Sequence, residues 1–420
     1  MSNLDKYKTI YVFAHWEELE KPVVMGLLKT AQTRGKEIFS FEYDDNWLKS
    51  GNVQFLDPDL QFYKGTQYTR NDKTNFGLFL DSSPDRWGKM LMRRREMLHA
   101  KSEKRTARNL TESDYLLGLF DGNRMGALRF KEKVDGPFLN DNKSMATPPW
   151  TTLKELEYAS LQIEKDNIVK NSKYEKWLNM LIDPGSSLGG ARPKASVVDS
   201  DNHLWIAKFP SRNDEVNKGA WEIIMNEMCK KCNIDVPESA VMKLTSLHHT
   251  FLTKRFDRTN KGKRRHFASA MTMLGYTDHQ DGAGYFELAE FLIRNGSNTD
   301  KDLEEIWRRI VFNICVKNTD DHLRNHGFIL SKSGWILSPA YDINPESQGK
   351  GLCLNISEND NSLDLQLALE VAENYRVNKK KANEIINTIK KVVSSWRVYA
   401  NKYGIPKGEQ ELMSNAFWKD

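Results

Sequence analysis

Asn318-Thr319-Asp320-Asp321-His322-Leu323-Arg324-Asn325, followed seventeen positions later by Asp342 in Leu337-Ser338-Pro339-Ala340-Tyr341-Asp342, constrains this chain more than any other stretch. An Asp and an Asn five apart on one loop form a recurrent chemical unit. The carboxylate orients an attacking hydroxyl while the amide oxygen holds a metal ion, and a second Asp further on holds the same metal against phosphates. An isolated D-x-x-x-x-N is common by chance. The triple with Asp342, placed at the end of a hydrophobic strand, is more specific and reads as a phosphoryl-transfer centre. Such a centre needs a fold that brings two separate loops to one place.

The chain is large enough for that, with 420 residues, 39% hydrophobic and 28% charged, room for two or three domains. It has no run of eighteen apolar residues, and Met1-Ser2-Asn3-Leu4-Asp5-Lys6 lacks the basic-then-apolar pattern of a signal peptide. A soluble cytoplasmic protein with no membrane contact is therefore expected. The four cysteines, Cys229, Cys232, Cys315 and Cys353, are too few for a disulfide framework. A net charge of +5 permits nucleic-acid contact without demanding it. Arg93-Arg94-Arg95 with its flanking lysines and arginines, and Lys379-Lys380-Lys381 with Lys390-Lys391, are read as solvated faces.

Alternation and turn residues give the outline. Thr9 to Phe13 and Glu37 to Tyr43 read as strands, Trp87 to Leu98 and Glu112 to Leu119 as helices, and Ala127 to Phe130 as strand again. Val134 to Trp150, with Gly136 and three prolines, is the best linker, placing a boundary near 150. Beyond it come strands at Ala195 to Val198 and Leu204 to Phe209, a helix from Lys218 to Cys232, and strands at Val241 to Leu244 and Thr250 to Phe256. After Asp257 the pattern is mostly helical, with Tyr285 to Arg294, Leu303 to Val316 and Ala382 to Tyr403 as the clearest helices. The fold class is α+β, in segments 1–150, 151–256 and 257–420.

Asp183 to Lys194 is a glycine-rich loop opening the second β segment. Glycines let backbone N–H groups approach phosphate oxygens closely. It is not a P-loop, because Ala191-Arg192 stands where Gly-Lys must be followed by Ser or Thr. A glycine turn with a purely structural purpose is the alternative. Lys208, a lysine in an apolar strand, calls for an anion such as the α- and β-phosphates of ATP. Glu222 on the following helix is one partner for it, as in the strand-lysine to helix-glutamate pair of kinases, and Glu227 is the competitor.

Five motifs in order, Ser187-Leu188-Gly189-Gly190-Ala191-Arg192-Pro193-Lys194, Ile206-Ala207-Lys208-Phe209-Pro210, Lys254-Arg255-Phe256-Asp257-Arg258, Asn318 to Asn325 and Ser338 to Asp342, resemble those of the HipA family of toxin-antitoxin serine/threonine kinases. Asp81-Ser82-Ser83-Pro84-Asp85-Arg86-Trp87-Gly88 and Asp121-Gly122-Asn123-Arg124-Met125-Gly126-Ala127-Leu128 resemble that family's N-terminal domain. The resemblance implies a two-lobed protein-kinase-like domain preceded by a small β-rich N-terminal domain. It implies Asp320 as catalytic base, His322, Asn325 and Tyr341 at the nucleotide, and Asn325 and Asp342 on Mg²⁺. It implies Lys208 on the phosphates, Gly189, Gly190, Ala191, Arg192, Pro193 and Lys194 covering them, and Lys254, Arg255 and Phe256 as the hinge for adenine. Ser187 falls where the family carries a self-phosphorylated serine, with Ser186 as the alternative. The implied partners are a helix-turn-helix antitoxin, through which alone DNA is contacted, and a protein substrate such as an aminoacyl-tRNA synthetase. The chain lacks the H-R-D and D-F-G of ordinary protein kinases, as HipA-like proteins do.

Two other readings stand beside this one. A small-molecule kinase of the aminoglycoside or choline type shares the lobes and the Asp/Asn pair, and an ATP-binding corepressor acting with a DNA-binding antitoxin would not need the base. Cys229-Lys230-Lys231-Cys232 has no second pair for a metal. His248, His249, His266 and His279 read as ordinary polar histidines, and the aromatic content as core.

Overall fold

The computed structural model describes residues 7–33, 35–51, 54–142, 147–165, 174, 177–178, 181, 190, 192–278 and 280–419. It is α+β and divides into two compact units, one of residues 1–212 with 255–277, the other of 213–254 with 278–420.

In the first unit, β1 (Tyr7–Ala14), β2 (Val23–Thr33), β3 (Lys36–Tyr43), β4 (Gln67–Tyr68) and β5 (Leu128–Lys131) form an antiparallel sheet in the order β4-β3-β2-β1-β5. Period-two burial sets the register: Leu28 lies opposite Ile10 on one side and Phe41 on the other, and all three are fully buried. Gly26 is required where β2 crosses β3, since a Cβ there would lie 2.3 Å from the Glu42 carbonyl oxygen. Phe41, Phe76, Phe79 and Phe130 meet edge-on or tilted beneath this sheet. Helix α1 (Arg86–Ser102) starts at Asp85, whose carboxylate accepts from Gly88 N at 2.8 Å; α2 (Glu112–Gly118) opens on a Thr111/Asp114 capping box. After α3 (Leu153–Glu164), β6 (Lys194–Val198) and β7 (Leu204–Lys208) form a hairpin. The linker expected at 134–150 is tied down at its end: Val198 N donates to Pro148 O at 3.0 Å.

The second unit opens with α4 (Lys218–Lys231) and the hairpin of β8 (Ser239–Met242) and β9 (Thr250–Lys254). Helices α5 (Tyr285–Asn295) and α6 (Thr299–Val316) follow, and α6 buries Leu303, Ile306, Trp307, Ile310, Val311 and Ile314 at helical spacing. The hairpin of β10 (Gly327–Ser331) and β11 (Gly334–Leu337) interrupts the expected helical run. Its strands are buried on both faces, so the sequence shows an apolar run without the alternation that marks a half-exposed strand. The single helix expected from Ala382 to Tyr403 is two, α7 (Lys379–Ser394) and α8 (Trp396–Lys402). The hydroxyls of Ser394 and Ser395 bond back to the Lys391 and Val392 carbonyls, and Trp396 turns to stack on Phe417 at 4.4 Å. Among the described residues no helix is long and apolar enough to cross a membrane.

Candidate functional site

Helix α6 ends because Lys317 adopts a left-handed conformation, φ +48°, and its chain turns into the segment Asn318 to His326. That segment alternates between surface and interior. Asp320 is exposed, whereas Asp321, Asn325 and His326 are buried. Asn325 Nδ2 donates to the Asp320 carbonyl oxygen at 2.9 Å, which is the local reason for a five-residue spacing: the amide of one end closes the loop on the backbone of the other. The His322 backbone N–H donates to the same carbonyl at 3.0 Å, and its Nδ1 is a buried atom with no hydrogen-bond partner among the described residues.

The second carboxylate reaches this loop through a chain of amides. Asn318, 1% exposed, donates from Nδ2 to Asn313 Oδ1 at 3.1 Å and accepts at Oδ1 from Asn344 N at 3.0 Å. Asn344 Nδ2 in turn lies 3.3 Å from both the carbonyl and the Oδ1 of Asp342. Asp342 sits five residues beyond the end of β11, not on it, and takes φ +58°, a left-handed conformation uncommon for a residue with a side chain and a frequent mark of functional loops. Tyr341 OH donates to the Arg324 carbonyl at 2.7 Å, and Arg324 pairs with Asp278 at 2.9 Å. Asp320, His322, Asn325, Tyr341 and Asp342 are thus brought onto one laced pair of loops. Behind them lies a pocket lined by Arg309, Asn313, Asp321, Asn325, His326 and Tyr341 among others.

In the first unit, the hairpin register sets Lys194 directly opposite Lys208, two like charges that need separate counter-charges. Lys194 has one: its ammonium is 2.7 Å from Asp85, with both side chains buried, and its carbonyl accepts from Trp87 Nε1 at 3.1 Å. Gly190 has φ +99°, and a Cβ on it would stand 3.3 Å from the Lys194 ammonium. Arg192 Nε donates to the Phe209 carbonyl at 3.1 Å, and Phe209 N to the Pro193 carbonyl at 2.9 Å. Lys208 is half-buried at the end of β7.

The Lys254 to Phe256 segment is used differently at each position. Lys254 lies 3.7 Å from Glu238. Arg255 turns its buried guanidinium away to Asp257, at 2.6 and 2.8 Å, and to the carbonyls of Asn123 and Arg124. Phe256 packs its ring against Phe267 at 5.7 Å. On α4, Glu222 is buried, while Glu227 accepts from Lys402 and Tyr403, both at 2.6 Å.

Residues 186–396, slightly more than half of the chain, match the family model of the HipA-like C-terminal domain. The chain belongs to this family. A protein of Haemophilus influenzae named "Putative kinase" is 28% identical over 180 residues, covering 38% of this chain and 52% of that protein. "Putative kinase Y4dM" of Sinorhizobium fredii is 30% identical over 152 residues, covering 33% of this chain and 36% of that one. The matches therefore span about half the length of one curated relative and about a third of the other. The structure of HipA from Shewanella oneidensis, solved with HipB and its operator DNA, superposes with a TM-score of 0.62 over 97% of this chain and 94% of that one at 15% identity, which shows a shared fold.

In this HipA-like chain, Ser186, Ser187, Gly189, Ala191 and His279 lie outside the described residues. Sequence reasoning passed over Asp321, His326, Asn313 and Tyr285. Asp321 Oδ2 accepts from Asn313 Nδ2 at 2.8 Å and from Tyr285 OH, and His326 Nε2 lies 2.9 Å from the same oxygen. Burial alone would raise the Asp321 pKa; the charge of His326 and the hydrogen bonds from His326 and Tyr285 outweigh it and hold the carboxyl below its ordinary value. The available signal was Asn313, a polar residue within the otherwise apolar run Ile310 to Val316 of α6.

Proposed function

We propose that this chain is an ATP- and Mg²⁺-dependent serine/threonine protein kinase, the toxin of a type II toxin-antitoxin pair. The observation that carries the reading is the laced pair of loops: an exposed Asp320 whose carbonyl is held by Asn325, joined through Asn318 and Asn344 to a left-handed Asp342. In this reading Asp320 orients the attacking hydroxyl and accepts its proton. Asn325 spends its amide nitrogen on Asp320, so its Oδ1 is the atom it turns to a metal. With Asp342 that makes an all-oxygen donor set, which suits a hard divalent cation. Mg²⁺, when bound, would neutralise charge on the β- and γ-phosphates. His322 and Tyr341 would sit at the nucleotide, with Tyr341 also holding the Arg324 end of the loop.

In the first unit, Lys208 would contact the phosphates; on α4 of the second unit Glu227 is committed to Lys402 and Tyr403, so Glu222 would be the glutamate of the ion pair. Gly190 and Arg192 to Lys194, with Gly189 and Ala191, would cover the nucleotide. Lys254, Arg255 and Phe256 would receive adenine through main-chain groups, since the Arg255 guanidinium is already engaged. Residues 1–150 would form the N-terminal domain, 151–256 the N-lobe and 257–420 the C-lobe. Self-phosphorylation would fall on Ser187, or on Ser186 beside it. A phosphate there adds about −1.5 to −2 of charge next to a site for ATP and would expel the loop. Partners would be a helix-turn-helix antitoxin, carrying any DNA contact, and a cytoplasmic protein substrate such as an aminoacyl-tRNA synthetase.

The test is nucleotide binding followed by calorimetry and thermal shift. Lys208→Ala and Asp342→Asn should each weaken Mg-ATP binding and remove the rise in Tm that Mg-ATP gives the wild type by mass action. An unchanged shift in both variants would refute the assignment. Mass spectrometry after incubation with Mg-ATP should find phosphate on Ser186 or Ser187.

A further inference from the structure

We propose that Asp321 is a positioning residue for the phosphoryl-transfer loop: through His326 and the side chains of Tyr285 and Asn313 it fixes where Asp320 and Asn325 stand. The proposal deepens the kinase reading and rests on it for its catalytic consequence. Asp321 is the chain neighbour of Asp320, and His326 is the chain neighbour of Asn325. The carboxylate–imidazole contact at 2.9 Å therefore closes the same five-residue interval that Asn325 Nδ2 closes on the Asp320 carbonyl, also at 2.9 Å. One bond sets the backbone of the loop. The other sets its depth against the helices.

The anchors make the second bond rigid. Tyr285 opens α5 and is fully buried; Asn313 lies in the last turns of α6 and is 2% exposed. Both donate to the oxygen that faces His326, and Asn313 Nδ2 also lies 3.2 Å from the tyrosine hydroxyl. Asn313 uses its other amide atom, Oδ1, to receive Asn318 Nδ2, and Asn318 receives Asn344 next to Asp342. Two buried amides in series, Asn313 and Asn318, thus link the Asp321 side of the loop to the Asp342 side. A carboxylate 4% exposed with three donors on one oxygen is held in one place, since losing any donor leaves buried polar atoms unsatisfied. The chain has no H-R-D motif to seat its base, and this four-residue network occupies the loop where such support is needed.

The test uses Asp321→Asn in the full chain, with Tyr285→Phe as the variant that keeps core volume if the first does not fold. Two readouts separate positioning from general stability. Hydrogen exchange of the 318–326 amides should accelerate at least about tenfold at a temperature where the rest of the unit exchanges as in the wild type. In single-turnover phosphoryl transfer the rate should fall about 10- to 100-fold with the Mg-ATP Kd within about threefold, as expected of a displaced catalytic group. Asp321→Asn combined with His326→Gln should lose little more than the single variant, because both break one interaction. Unchanged exchange in a folded Asp321→Asn chain, or loss of ATP affinity in parallel with rate, overturns the proposal. Faster loop exchange in variants of a chain whose wild type transfers no phosphate retires the kinase reading and leaves the positioning role standing.

Discussion

Two buried polar networks, one in each unit, do different jobs. In the first unit Arg124, Arg129, Arg255, Arg258 and Arg264 gather around two carboxylates among the described residues, Asp121 and Asp257. The excess guanidinium donors go to main-chain carbonyls, among them those of Ser82, Leu119, Asn123, Arg124 and Gly126. In the second unit one carboxylate, Asp321, gathers Tyr285, Asn313 and His326, and the network ends beside Asp320, which remains exposed. The charge-dense knot fixes a main chain, the Asp121 to Gly126 turn. The single-acid network fixes side chains at a surface. Breaking the first should cost stability, and breaking the second should cost geometry.

The largest stability loss is expected from Asp257→Ala, which leaves Arg255 and Arg258 facing each other in the interior. Removing one partner of a buried ion pair costs about 3–5 kcal/mol, readable as a fall in the urea midpoint. Burial would raise the Asp257 pKa, but Arg255 and Arg258 overcome it and hold it at about 2. Because that folded value lies below the ordinary carboxylate value, this stabilisation is full above about pH 4 and drains away as the pH falls towards 2. If Asp257→Ala unfolds at the wild-type urea concentration, the knot contributes nothing and the contrast between the networks fails.

The buried Lys194–Asp85 pair sharpens the same contrast. Asp85→Leu alone should cost roughly 3 kcal/mol by stranding the ammonium, and about 1 kcal/mol more for the lost α1 cap; adding Lys194→Met should recover the first part but not the second. A double variant that stays as unstable as the single would mean that Lys194 is held by something other than charge.

His266 gives a smaller, pH-dependent effect. It is 1% exposed, stacked on Trp16, and burial pushes its pKa down to about 3. The unfolded chain takes up a proton near pH 6.5 and the folded chain only near 3, so stability is full above 6.5 and falls as the pH drops through that window. Between pH 6.5 and 5 this amounts to roughly 2 kcal/mol. His266→Gln should remove that slope; an unaltered slope would place the acid sensitivity elsewhere. Smallest of all, Lys402→Ala should change stability by less than about 1 kcal/mol, because the pair with Glu227 is largely exposed and Tyr403 still holds the carboxylate.

What was legible in the sequence followed from how local each feature is. Asp320 and Asn325 lie five apart on one loop and that spacing is the loop's own geometry, so it is legible from the chain alone. Asp342 comes back to it only across the β10-β11 hairpin, through Asn318 and Asn344. Asp321 is not legible, because its partners Tyr285 and Asn313 lie 36 and 8 residues away and only packing of α5 and α6 brings them to it. Helices α1, α2, α4, α5 and α6 and strands β1, β3, β5, β6 and β7 declared themselves through periodicity. The β10-β11 hairpin did not, being buried on both faces, and the break at Ser395 depends on Trp396 finding Phe417. The Arg255 side chain shows the same limit: a basic residue in a motif does not announce whether it serves a nucleotide or a neighbouring turn.

The most direct test of the phosphoryl-transfer assignment is single-turnover transfer of the γ-phosphoryl group from Mg-ATP by the wild type and by Asp320→Asn, with Mg-ATP affinity measured on the same samples. The wild type should transfer phosphate, and the variant should fall by several orders of magnitude with nearly unchanged ATP binding and melting temperature. Wild-type rates in a well-folded Asp320→Asn protein would contradict it.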